Sequence, residues 1–193
     1  MIRQYSGMKA EKMTSSNPLP AGGYVAIIKR AEVINYDWGQ VLELSFDIAE
    51  GEHKDFFAKQ YRSDTREDKK WKGKHRLTIP VEGTQYFESN QRTFNNFIFA
   101  LEDSNKGYYF DWDETKIKDK IIGVLFRNKE WEWQGKSGWT TECGAITDAQ
   151  SIKNGDFKPL ADKPLKGSTA SNNTSSSGFT EMPLLEDDDD LPF

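Results

Sequence analysis

The sequence predicts a mainly β domain: a five-stranded barrel with one helix between its third and fourth strands, followed by a polar, disordered C-terminal tail. Three observations predict it. β-branched and aromatic runs of strand length are bounded by turn residues, one segment among them has helical apolar spacing, and the last thirty or so residues are rich in Ser, Thr, Asn and Gly before an acidic block. At 193 residues the chain is long enough for one domain with a self-sufficient core plus appendages.

Residues 1–20 are polar and aperiodic and read as a lead-in that closes on Asn17-Pro18-Leu19-Pro20; the domain is expected over 21–159. Tyr24 to Tyr36 is β-branched and aromatic, Asp37-Trp38-Gly39-Gln40 is a turn, and Val41 to Ile48 alternates apolar with polar residues, so the two runs form a hairpin. Glu50-Gly51-Glu52 ends the second strand. A third strand is expected at Asp55 to Arg62, with Phe56, Ala58 and Gln60 on one face and Phe57, Lys59 and Tyr61 on the other. Arg76 to Val81 is either a short strand or a bridge. Phe87, Phe94, Phe97, Ile98 and Leu101 then recur at helical intervals, predicting a helix from about Gln85 to Asp103 whose stripe, together with Phe99, caps the core. After the aromatic loop Tyr108 to Trp112, Lys120 to Asn128 is a strong strand. Glu130 to Trp133, the turn Gln134 to Gly138 and the return Trp139 to Ile146 make a final hairpin. Three strands, a helix and a hairpin are the element order of the oligonucleotide-binding (OB) fold, a five-stranded Greek-key barrel. The stretch 160–185 has few apolar anchors to repay its ordering entropy and reads as a flexible linker to an acidic tip at 186–193.

Several function classes are excluded on composition. The single cysteine, Cys143, cannot form an internal disulfide and reads as a buried small residue; with no paired Cys/His cluster, a metal-free protein of a reducing compartment is expected. No apolar run approaches membrane-spanning length and the first residues lack a secretion core, which places the chain in the cytoplasm. No phosphate-cradling glycine loop, nucleophile elbow or metal triad is present, so neither catalytic residues nor a cofactor are expected. Asp111, Asp113 and Glu114 imitate a nuclease metal cluster, but they share their loop with Lys116 and Lys118.

Charge is unevenly distributed. From Leu160 onward two basic residues face seven acids, which accounts for the whole net charge of -5, and the body to Pro159 is neutral. Within that body, His53 to Arg76 carries nine Lys or Arg against four acids, the pattern of a phosphate-binding face. Aromatics make up 13% of the chain, with six tryptophans, and several adjoin basic residues. Rings that stack on bases beside cations that follow phosphates suit a single-stranded nucleic acid without sequence readout. The candidates are Tyr36 and Trp38 in the first hairpin loop, and Phe57, Lys59, Tyr61 and Arg62 on the expected third strand. Trp71, Lys72 and Arg76 follow in the basic segment, and Arg127, Trp131, Trp133, Lys136 and Trp139 surround the last hairpin. Each ring is equally open to a packing role within the barrel. Trp38, in a turn between Asp37 and Gly39, is the leading candidate. His53 and His75, at the ends of the basic segment, read as surface or phosphate contacts.

The terminus Leu184-Leu185-Glu186-Asp187-Asp188-Asp189-Asp190-Leu191-Pro192-Phe193 resembles the acidic tip of bacterial single-stranded DNA-binding proteins, which end in aspartates, an aliphatic residue, proline and phenylalanine. The resemblance covers these ten residues and the layout of barrel, linker and tip. Tyr24 to Ile146 has no residue-by-residue match to the cellular housekeeping members and is more similar to the divergent members encoded by phages and prophages of Gram-positive bacteria. It implies a protein that binds and protects single-stranded DNA in the bacterial cytoplasm during replication, repair and recombination. It also implies that Asp187, Asp188, Asp189, Asp190, Leu191, Pro192 and Phe193 recruit partner enzymes: the phenylalanine ring fills an apolar pocket and the aspartates meet a basic rim. The alternative is a replication or recombination accessory protein whose barrel binds mainly protein partners. Assembly into homo-oligomers is open on either reading.

Overall fold

The first hairpin is longer than its alternation alone required. The computed structural model, which describes residues 18–165, pairs β1 (Gly22–Tyr36) with β2 (Gly39–Ile48) from Ala26↔Ile48 to Tyr36↔Gly39, so that Asp37 and Trp38 are the whole turn. The same β1 pairs through Gly22–Ile27 with β4 (Ile121–Trp133). Within the β1–β2 pairing, just past the end of the β1–β4 pairing, the register shifts by one residue at Lys29, a β-bulge. The bulge also resets the alternation. Ala26 and Ile28 face the core before it, Ala31 and Val33 after it, so one long strand keeps its apolar side inward around the bend.

Among the described residues the strands form one antiparallel sheet in the order β3-β2-β1-β4-β5, where β3 is Lys74–Thr78 and β5 is Lys136–Thr147. The edge strands meet: His75 on β3 donates from Nδ1 to the Cys143 carbonyl on β5 at 3.0 Å. His75 lies opposite Leu44 and shares its inward direction. It is therefore part of the seam and not the surface or phosphate contact expected for it. Cys143 sits half-buried in the same seam, where burial pushes its thiol well above the ordinary range.

Helix α1 (Phe56–Ser63) corrects the sequence expectation of a third strand at Asp55 to Arg62. Its own N-cap residue, Asp55, makes no side-chain cap. The capping group is Asp47, fully buried at the end of β2, whose carboxylate accepts from the amides of Ile48 (2.9 Å), Phe57 (2.9 Å) and Ala58 (3.0 Å). Docked there, Phe57 becomes core, its ring 5.8 Å from that of Phe46 and 6.2 Å from that of Phe126. Gly73, just before β3, allows this approach, because a Cβ there would stand 2.3 Å from the Phe46 carbonyl oxygen and 2.6 Å from the Phe57 ring.

Helix α2 (Phe87–Ser104) follows the expected spacing and packs Phe94, Phe97, Ala100 and Leu101 against β3, β4 and β5. Phe99 departs from the expectation. At 59% exposed it points away from the core, since five positions beyond Phe94 is the far side of a helix. A short 3-10 turn (Glu114–Ile117) leads into β4. A third helix, α3 (Ala149–Asn154), had no counterpart in the sequence reading. Asp148 caps it by accepting from Ser151 N (2.6 Å) and Oγ (2.7 Å), and its Ile152 rests on Gly123 of β4, where a Cβ would be only 2.7 Å away.

Residues 160–165, read from sequence as the start of a linker, run along β4: Lys163 forms a parallel bridge with Lys129, and Asn128 donates to Asp162 Oδ1 at 2.9 Å. The lead-in up to residue 17, the remainder of the linker and the acidic tip lie outside the described residues.

Two stability predictions follow from these contacts. Asp47→Ala strands two α1 amides in a buried site and is expected to cost about 2–3 kcal/mol, read as a lower urea midpoint at unchanged m-value. His75 is held neutral chiefly by burial, with Arg127 also disfavouring its charge, against the smaller upward pulls of the Cys143 carbonyl and Glu142. With the folded pKa depressed, the stability contributed by neutral His75 is complete above about pH 6.5 and is lost as pH falls below that value. Melting temperature should therefore decline between pH 7.5 and 5.5, and His75→Asn, which keeps a donor near the carbonyl but does not titrate, should flatten the decline.

Candidate nucleic-acid interface

Alternation in β1, β2 and β3 leaves a second face, turned away from the core. Pairing places Arg30 across from Ser45, Glu32 across from Glu43, and Glu43 in turn across from Arg76. Two glutamates directly opposed repel, and cations surround them. Arg30 pairs with Glu32, Lys74 Nζ lies 2.8 Å from Glu43 Oε1, and Arg76 Nη2 and Nε each lie 2.9 Å from Glu43 Oε2. Burial alone would raise the pKa of Glu43, but the hydrogen bonds and charges of Lys74 and Arg76 outweigh it and hold the carboxyl below its ordinary value. The candidate Arg76 is thus ordered by an acid, and Lys74, absent from the sequence candidates, belongs with it.

Tyr36 and Trp38 lie at the hairpin end of this face. Their rings stack 5.2 Å apart at 11°, and Trp38 remains 46% exposed. The arrangement is local in origin: Tyr36 is the last outward residue of β1 and Trp38 occupies the two-residue turn, so the indole folds back on the phenol.

Beyond the other end of β3 lies the basic segment. Tyr61 and Trp71 sit 5.9 Å apart, with Lys69 Nζ 4.7 Å above the Tyr61 ring. Trp71 is anchored by its indole N–H, which donates to the carbonyls of Phe46 (3.0 Å) and Gly73 (3.2 Å). Lys59, Arg62 and Lys72 are exposed, and Lys59 Nζ donates to the Lys54 carbonyl at 2.8 Å. Arg66 is engaged by Asp64, whose pKa falls to about 2 through hydrogen bonds from the Arg66 side chain and backbone. Phe57 has no place in this surface; at 6% exposed it packs the core, because the segment is a helix and not the strand that would have turned it outward.

The remaining candidates lie on the β4–β5 arm, which turns through Gln134 and Gly135, both at positive φ as a two-residue hairpin requires. Trp131 and Trp133 share one face with Lys136 and Gly138, while Trp139, paired with Glu130, is on the other. Trp131 lies over Gly138, where a Cβ would meet its indole nitrogen at 3.1 Å; Trp133 and Trp139 are exposed. At the base of the arm Arg127 Nε is 3.0 Å from Glu142, joined by Lys129 at 3.5 Å and Lys163 at 3.6 Å. Burial would raise the pKa of Glu142, and these three cations hold it down.

The sequence reading passed over one further exposed aromatic pair, Tyr109 (79% exposed) and Trp112 (72% exposed). Trp112 stacks on Phe94 at 6.2 Å and 10°. Its left-handed backbone, φ 67°, turns it out of the loop and has no local sequence signal. In the same loop Asp111 and Asp113 are both engaged by Lys116, and Asp113 also accepts from Thr115. Among the described residues no group of three or more His, Cys, Asp or Glu is placed to hold a metal ion, and no helix is long and apolar enough to cross a membrane. Comparison with protein-family models and with curated proteins finds no match.

Proposed function

We propose that this protein binds single-stranded DNA without sequence specificity and without catalysis, and that it recruits replication, repair and recombination proteins through Asp187 to Phe193. The observation that carries the reading is the stacked, exposed Tyr36–Trp38 pair at one end of a face bearing Lys74 and Arg76, with the Tyr61–Trp71–Lys69 cluster at the other end of the same strand β3. Rings accept bases of any identity while the cations follow the phosphates, so affinity arises without base readout. The strand order, the edge strands that meet at His75 and Cys143, and the helix α2 between β3 and β4 support reading the sheet as an OB barrel. On that reading the β1–β2 and β4–β5 hairpins are the loops that flank the bound strand. The tip, whose composition resembles that of bacterial single-stranded DNA-binding proteins, supports recruitment, and the similarity of the body to phage- and prophage-encoded members supports such an origin in a bacterial cytoplasm.

The deciding experiment is titration with unlabelled oligo-dT across a salt series, followed by intrinsic tryptophan fluorescence. Quenching that weakens steeply with salt is expected; no complex at low salt would sink the reading and favour an accessory protein that binds other proteins through its barrel. Trp38→Ala should weaken oligo-dT binding about 5- to 150-fold, the loss of one base stack at about 1–3 kcal/mol, with its melting temperature unchanged. Deleting residues 186–193 should abolish capture of partner enzymes while oligo-dT binding persists; capture that survives the deletion assigns recruitment to another surface.

A further inference from the structure

Glu43 is an acid in a costly place. It is 8% exposed although it lies on the outward face of β2, and its two carboxylate oxygens are engaged by two different cations. A single partner would satisfy its charge. Lys74 and Arg76 both bind it, and neither cation is buried: their side chains are 42% and 32% exposed. The two cations are two residues apart on β3, hence roughly 6.6 Å apart from Cα to Cα along one side of the strand, and Glu43, directly across from Arg76, reaches both. Glu32, the neighbour of Glu43 on β1, is itself paired with Arg30.

We propose, resting on the single-stranded DNA reading above, that Glu43 is a positioning residue for phosphate contacts by Lys74 and Arg76. It orders both side chains at the surface before DNA arrives, and its own charge limits how much phosphate charge the pair neutralises. The first effect lowers the entropy lost when long side chains are fixed on a ligand. The second keeps the face reversible, because each additional phosphate neutralised on a single strand steepens the logarithmic salt dependence of affinity by about 0.7.

The test is the anisotropy of a dye-labelled dT oligomer titrated with full-length protein across a salt series, for the native protein, Lys74→Gln, Glu43→Gln and the double variant, with a melting curve for each. Lys74→Gln should weaken binding and make the slope shallower by about 0.7, and Glu43→Gln should tighten binding severalfold at low salt and make it steeper by the same amount. The double variant should return to the native slope, since one charge of each sign is gone. Should Glu43→Gln fail to fold, the comparison of Lys74→Gln with the double variant decides, because only Arg76 is then left beside the neutral Gln. Folded variants whose slopes all equal the native one would show that Lys74 and Arg76 serve only Glu43, and a folded Glu43→Gln that binds more weakly would overturn the limiting role. In either case the DNA-binding reading would survive. A native protein that forms no salt-sensitive complex removes that reading, and this inference with it.

Discussion

The fold depends on one strand belonging to two halves of the sheet. β1 pairs with β4 through Gly22–Ile27 and with β2 from Ala26 onward, and a bulge at Lys29 interrupts the second ladder just past the first. Because side chains alternate with a period of two, a bend without the extra residue would send Arg30 and Glu32 inward and Ala31 and Val33 outward. With it, Ala26, Ile28, Ala31 and Val33 stay on the core, and the charged residues collect on the face that ends in Tyr36. Core and candidate interface are thus two sides of the same register.

Everything between β2 and β3 hangs on a second constraint, the buried carboxylate of Asp47. An isolated eight-residue helix is marginal in water, and α1 has no cap of its own. By receiving the first amides of the helix, Asp47 fixes where α1 begins, and so drives Phe57 into the core beside Gly73 and sets Tyr61 against Trp71. The basic segment is exposed and positioned for the same reason. Its cations are carried on a helix and a loop whose aromatic members are tied down by the indole N–H of Trp71.

Features written in short-range patterns were legible in the sequence, and features made by partners far apart were not. Both hairpins could be read because their turns are local, at Asp37-Trp38 and Gln134-Gly135, and α2 because Phe94, Phe97 and Leu101 repeat at helical intervals. In sequence α1 reads as a strand because its cap lies on another element, ten residues before Phe57. The one local hint was the four-residue spacing of Phe57 and Tyr61, which puts both rings within reach of Trp71. Six-residue α3 is too short to show a period, although Asp148, Ser151 and Gly155 mark its ends. Of the candidate site, Tyr36 and Trp38 were visible as aromatics at a turn. The pairing of Glu43 with Lys74 and Arg76 was not, since it joins residues more than thirty positions apart, and His75 reads as a surface residue because nothing near it in sequence reveals a seam partner on β5.

What separates a nucleic-acid face from a protein-binding one here is the kind of order imposed on its side chains. A protein interface gains most from apolar area buried at its centre and is depleted in Lys and Glu there. The face between Tyr36 and Trp71 has the opposite composition: acids and bases occupy its middle, and rings stand at its ends. Its aromatics are held by stacking or by indole hydrogen bonds, so a base meets rings already in place and little is spent on ordering them. The exposed Phe99 is on α2, whose inward residues are packed in the core, and is no part of this face. The ligand proposed above for the β1–β2–β3 face, a flexible polyanion with flat bases spaced along it, would meet cations in the middle of that face and rings at its ends.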